Sequence, residues 1–118
     1  EMKILLILND PPYGTELVYN GLRLAMNLQK NHEQVVLSVF LMGDAASAAK
    51  SGQRTPNGYY NVERMLKSVA SKGGLVRVCG TCMDARALTD VDLVEGAARS
   101  TMDELGQLTV AADKVLVF

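Results

Sequence analysis

Apolar positions along this chain follow two rhythms. Four short stretches are apolar almost without a break: Lys3-Ile4-Leu5-Leu6-Ile7-Leu8, Val35 to Met42, Leu75-Val76-Arg77-Val78, and Lys114 to Phe118. Their length and their Val, Ile and Leu content predict strands buried on both faces. Between them the apolar residues recur at helical spacing. From Thr15, one stripe runs through Leu17, Gly21, Leu24 and Leu28 and the next through Val18, Leu22 and Ala25. Together they predict a helix with a broad buried face. Val62, Met65, Leu66, Val69 and Ala70 predict a second helix. Asn61 is its N-cap, Glu63 favours its dipole, and Lys72-Gly73 stops it. Ala45 to Lys50 predicts a short alanine-rich helix after Gly43-Asp44, and Ala98, Met102 and Leu105 mark a last one. Residues 83 to 96 are mixed, with a helical turn within Met83 to Leu88 and a short apolar piece at Val91 to Val94. Turn and loop chemistry fills Pro11-Pro12-Tyr13-Gly14, the polar break Lys30-Asn31-His32-Glu33, and Ser51 to Tyr60.

Strands separated by helical segments predict an α/β fold, a parallel sheet with helices on both faces and right-handed crossovers. In such sheets ligands bind outside the C-terminal ends of the strands. Three loops meet that description: Asn9 to Gly14, Gly43-Asp44, and Cys79 to Arg86. With 118 residues the chain fills one domain, 1–118. A composition of 48% hydrophobic and 21% charged residues excludes an intrinsically disordered chain. Lys plus Arg number 12 and Asp plus Glu 13, a net charge of −1. That balance gives no electrostatic case for nucleic acid or an anionic membrane, though it leaves room for a local basic patch. No apolar run approaches the length that spans a bilayer. The opening apolar stretch stops at Asn9-Asp10-Pro11-Pro12, short of a signal peptide, so the expected compartment is the cytoplasm. Two cysteines in a reducing compartment point to reactivity or burial, not to a structural disulfide.

Cys79 is the leading candidate for chemistry. It stands where a buried strand ends, near backbone N–H groups of the following turn, an environment that enriches the thiolate. Arg86 adds positive charge nearby, and Asp84 opposes it. The plainer reading is a small apolar residue closing a strand, since free cysteine is among the most buried residue types. Cys82 completes a C-x-x-C. Two cysteines and the distant His32 do not close a four-ligand zinc site within one chain. A thioredoxin-like pair follows the first βαβ strand behind an aromatic residue, whereas here Val78 precedes the motif and the strand is the third. Neither G-x-G-x-x-G after the first strand nor G-x-x-x-x-G-K-[ST] occurs, so nucleotide binding has no motif support. His32 reads as a solvated turn residue without a nucleophile partner. Met42, Met65 and Met102 read as packing. Tyr13, Tyr59 and Tyr60 read as scaffold, as a pocket wall, or as a subunit contact.

Four segments in order carry a resemblance: Pro12-Tyr13-Gly14-Thr15-Glu16, Phe40-Leu41-Met42-Gly43-Asp44-Ala45, Val78 to Arg86, and Ala112-Asp113-Lys114-Val115-Leu116. Together they resemble the DsrE/DsrF-like family over nearly the whole chain, closest to its small YchN-like branch. The resemblance implies a three-layer α/β/α sandwich around a mainly parallel sheet, flavodoxin-like in appearance. It implies homotrimers, often stacked as homohexamers. In the family's sulfur-relay members the cysteine after the third long strand carries sulfur as a persulfide. Carried over by position, that residue is Cys79. Those members generally lack a partner where this chain has Cys82. The reaction so implied is persulfide carriage or sulfurtransfer between donor and acceptor proteins, without cofactor or metal. In that reaction Cys79 attacks a donor persulfide; convergence of the three loops, not the resemblance, suggests Cys82 as a resolving thiol, Arg86 as the group that stabilises the thiolate, and Asp84 as the residue that orients Arg86 or shuttles a proton. Asn9 and Tyr13 line the same sheet edge. Two other readings stand beside it: a redox-active dithiol using Cys79 and Cys82, and a non-catalytic oligomeric binding module.

Overall fold

A computed structural model describes residues 1–118. Five strands form one sheet in the order β4-β3-β2-β1-β5, all parallel: β1 (Met2–Leu8), β2 (Val35–Leu41), β3 (Leu75–Cys79), β4 (Ala97–Ser100) and β5 (Lys114–Val117). The α-helices are α1 (Leu17–Asn31), α2 (Val62–Ser71), α3 (Gly80–Ala85) and α4 (Met102–Ala111). No helix is long and apolar enough to cross a membrane.

The chain steps from β1 through β2 and β3 to β4 in one direction, then jumps back across the sheet to β5. Right-handed crossovers put the connections of opposite steps on opposite faces. On the first face, Ile4, Leu6 and Leu8 of β1 and Leu37, Val39 and Leu41 of β2 meet Val18, Leu22 and Ala25 of α1 and Val62, Leu66 and Val69 of α2. On the second face a small cluster of Leu5, Phe40 and Cys79 packs under Leu105 of α4. The period-two alternation of a strand sends neighbouring residues of β1 into these two cores.

Local chemistry agrees with several sequence expectations. Asn61 caps α2, its side-chain oxygen accepting the Arg64 N–H at 3.1 Å. The alanines 45, 46, 48 and 49 are buried, though their segment, Gly43–Ala49, is a 3₁₀ helix and not an α-helix. Other expectations are corrected. Ala98 belongs to β4, not to the last helix. That helix begins at Met102, where Thr101 Oγ1 accepts the Glu104 N–H at 3.2 Å. Pairing of β4 with β3, from Val76↔Ala97 to Cys79↔Ser100, fixes this edge strand and overrides the helical spacing. Met102 is exposed, because α4 turns Leu105 and Leu108 to the sheet instead. Leu17 lies outside the buried stripe of α1, which is Val18, Gly21, Leu22 and Ala25. The stretch expected as a loop after Cys79 is helix α3.

Leu22 is fully buried and Leu17 is 44% exposed. Leu22→Ala should cost about 2–5 kcal/mol, as buried leucine truncations do, whereas Leu17→Ala should stay within about 0.5 kcal/mol of wild type. Urea denaturation followed by far-UV circular dichroism checks both, and equal losses would mean that α1 presents a different face to the sheet.

Candidate functional site

Strand β3 ends at Cys79 and α3 begins at Gly80, with no loop residue between them. Cys79 is therefore the last strand residue and the N-cap of the helix at once. Next to it β4 ends at Ser100. From β3 the chain leaves toward the first face, where Met83 of α3 enters the larger core. From β4 it leaves toward the second face, where α4 packs Leu105. Adjacent strands with exits to opposite faces open a crevice at their carboxyl ends, the switch point where open α/β sheets place their sites. Cys79 lies at that switch point with 9% of its surface exposed.

The two sulfurs are adjacent. Cys82 Sγ donates to Cys79 Sγ at 2.7 Å, and the Cys82 N–H reaches the same sulfur at 3.4 Å. Thr81 Oγ1 lies 3.4 Å from Cys79 Sγ. Cys82 Sγ in turn accepts the Gly43 N–H at 3.1 Å. Gly43 has a φ of +57°, and a Cβ there would press on the Asn9 carbonyl at 3.3 Å. The turn after β2 thus needs glycine to bring its N–H to the thiol.

Ionisation of the pair is asymmetric. Burial raises the Cys79 pKa, but hydrogen bonds from the Cys82 side chain, from Thr81 and from backbone N–H groups outweigh it, and the net direction is down. Burial also raises Cys82, and the neighbouring Cys79 raises it further. The Gly43 N–H and the Arg86 charge offset this only in part. One thiol is primed to lose its proton while the other keeps its own and donates it.

Arg86 flanks Cys82, its Nη1 donating to the Cys82 carbonyl at 3.0 Å. Its carboxylate partner is Asp44, at 2.6 Å from Nη2 and 3.1 Å from Nε. The expectation that Asp84 orients Arg86 is corrected. Residues two apart do not share a helix face, and Asp84 pairs with Arg99 through bonds of 2.8 and 2.9 Å. Arg99 lowers the Asp84 pKa, first through these hydrogen bonds. Sequence reading placed Asp44 in a loop at this edge without a role, and missed Arg99. Arg99 comes from β4 and lies across Gly80, where a Cβ would sit 2.8 Å from its Nε.

Neither of the other two residues expected at this edge hydrogen-bonds a thiol, although the Asn9 carbonyl packs on Gly43. Asn9 donates from Nδ2 to the Phe118 carbonyl at 3.4 Å, on the β5 side of β1. Tyr13 turns toward the start of α2: its hydroxyl accepts the Val62 N–H at 3.2 Å and donates to Gln53 Oε1.

A family model described as the DsrE/DsrF-like family matches residues 2–118. The chain belongs to that family. It is 40% identical over 116 residues to Protein YchN of Escherichia coli strain K12, covering 98% of each chain. It is 35% identical over 117 residues to protein MJ0989 of Methanocaldococcus jannaschii, covering 99% of this chain and 100% of that one. The crystal structure of the E. coli YchN protein superposes with a TM-score of 0.94 at 39% identity, over 100% of both chains. The structure of MTH1491 from Methanobacterium thermoautotrophicum, at 14% identity and TM-score 0.71 over 97% of each chain, shares the fold.

The asymmetry of the thiols has a measurable sign. A lowered pKa keeps Cys79 as thiolate to lower pH, so its alkylation midpoint should fall below the roughly 8.5 of free cysteine, with that of Cys82 above it. Cys82→Ala removes a donor to Cys79 and should move the Cys79 midpoint upward. Mass-resolved iodoacetamide labelling against pH reads all three. An unmoved Cys79 midpoint in Cys82→Ala would mean that this hydrogen bond does not set its acidity.

Proposed function

We propose that this DsrE/DsrF-like protein carries sulfur as a persulfide on Cys79 and passes it on, as a carrier or sulfurtransferase between a donor and an acceptor protein. The observation that carries the reading is the 2.7 Å contact in which the Cys82 thiol donates to Cys79 at the end of β3. It supplies a thiolate nucleophile and a proton-bearing neighbour together.

In the loading step the Cys79 thiolate attacks the outer sulfur of a donor persulfide, R–S–SH. One S–S bond forms, one breaks, and the electron pair leaves on R–S⁻. Cys79–S–SH results, with no net oxidation. In the unloading step an acceptor thiolate attacks that outer sulfur and Cys79 departs as thiolate. The donors that favour the Cys79 thiolate also favour it as leaving group. Arg86 holds positive charge beside the pair and is itself oriented by Asp44. Where no acceptor arrives, Cys82 thiolate can attack the inner sulfur and expel HS⁻, leaving a Cys79–Cys82 disulfide. The nearness of the two sulfurs also favours a second reading, a reversible dithiol without bound sulfur.

Assembly belongs to the same reading. Val115 and Val117 of the edge strand β5, Val36 of β2 and Val110 of α4 are exposed apolar side chains. A second copy of this chain fits such an apolar edge, in a homotrimer or a homohexamer. The compartment we propose is the cytoplasm, where such thiols stay reduced.

Incubation with a cysteine desulfurase and cysteine, followed by intact-mass measurement, tests the carrier. Wild type and Cys82→Ser should gain one sulfur atom that reductant removes, and Cys79→Ser should gain none. Gain in Cys79→Ser would overturn the assignment of the nucleophile. Loss of two hydrogens under mild oxidant, with no sulfur gained, would select the dithiol reading. No change in either assay would leave a binding module. Light scattering at micromolar concentration should give a mass of three or six chains, lowered by Val117→Lys, and a monomeric wild type would refute the assembly.

A further inference from the structure

All four tyrosines of the chain, Tyr13, Tyr19, Tyr59 and Tyr60, converge on one pocket of about 590 Å³ beside the first turn of α1. Tyr60 stands edge-on to Tyr13 at 6.2 Å between ring centres and tilted against Tyr59 at 5.8 Å. Tyr19 and Tyr60 also line a second cavity, of about 810 Å³, between α1 and α2, so the two spaces adjoin. The second cavity is basic. Arg23, Lys30, Arg64 and Lys72 line it, and no aspartate or glutamate does. None of these four cations is ion-paired. Arg23 instead lies over the Tyr19 ring at 5.6 Å.

The loop that joins the two spaces is shaped at a conformational cost. Asn57, Gly58 and Tyr60 all have positive φ, at 53°, 73° and 48°. For a bulky residue such as Tyr60 that is an outlier, of the kind that clusters at functional sites. Gly58 leaves the space in which the Arg64 guanidinium rests, since a Cβ there would collide with it. Gln53 pins the loop from below, donating to the Ala48 and Lys50 carbonyls at 2.8 Å and accepting from Tyr13. Beside the rings, Thr55 Oγ1 is buried with no hydrogen-bond partner, although buried hydroxyls are ordinarily bonded.

We infer that this composite groove binds a small phosphorylated ligand with a planar aromatic ring, of the nucleotide class. The tyrosine pocket takes the ring by stacking. Glu16 and Arg54 are the charged residues at that end, and the Glu16 carboxylate suits ring amino or sugar hydroxyl groups. Phosphates belong at the other end, where arginines hold them by charge-assisted, bidentate bonds. Both volumes are within the range of small-ligand sites. A single-stranded nucleic acid fits less well, because Arg23, Lys30, Arg64 and Lys72 share one concavity instead of forming an extended track and the chain as a whole carries a net charge of −1. The glycine-rich nucleotide motifs act at strand-to-helix turns, so their absence does not bear on a groove between two helices. The thiols are not part of this site, and it stands whether or not they carry sulfur.

Calorimetric titration of the full chain with ADP, pyrophosphate and adenosine separately, at low and raised salt, is the test. ADP should bind tightest, and pyrophosphate should lose affinity with salt. Arg23→Gln with Arg64→Gln should weaken ADP about tenfold or more, the loss of roughly 1.4 kcal/mol or more expected for charge-assisted bonds. Both side chains are exposed, and circular dichroism checks that the fold survives. Tyr59→Ala should weaken ADP and leave pyrophosphate unchanged. No saturable ADP binding, or binding indifferent to the double substitution, would overturn the site. Tighter binding of a single-stranded oligonucleotide than of ADP would overturn the ligand class.

Discussion

Strand β1 is hydrogen-bonded along both edges, to β2 and β5, and its side chains enter both cores. Every other element takes its place from that constraint. A strand with no free edge or face has one register, because a slip of one residue would exchange the two cores. The register carries outward from β1 to β2, from β2 to β3, and from β3 to β4. At the end of this series it sets Cys79 beside Ser100. The thiol is positioned by pairing that begins two strands away.

The reversal of strand order turns this placement into a site. While the chain advances across the sheet, its connections stay on one face, and when it returns, α4 covers the other. The switch point between β3 and β4 follows from topology alone. What topology leaves open is supplied by single residues. Gly43 brings an N–H to Cys82, Gly80 leaves room for Arg99, and Asp44 orients Arg86. Such polar contacts in a low-dielectric crevice are what separate the acidities of two identical side chains.

Much of this was legible in the sequence, and the reasons are local. The first three strands are apolar runs buried on both faces, and Asn61 announces α2 by a cap that involves its own first turn. Cys79 was legible because it closes such a run. The parts that were not legible depend on distant partners. Strand β4 is Ala-Ala-Arg-Ser, without a strand signature of its own, and only β3 makes it a strand. Asp84 finds Arg99 only after β4 has formed, and Arg86 finds Asp44 across the 3₁₀ segment. Tyr13, Tyr59 and Tyr60 stood out as loop aromatics, but Tyr19 was hidden in a helical pattern.

The gathering of the tyrosines has an optical consequence. The chain has no tryptophan, so its ultraviolet emission comes from four rings held around one loop. Fluorescence sees that corner of the molecule and is blind to the sheet. Loosening of residues 53 to 62 would change the emission while the strands stayed paired. Backbone and fluorescence melting curves then need not coincide, and their separation would mark a local opening and not a folding intermediate of the whole domain.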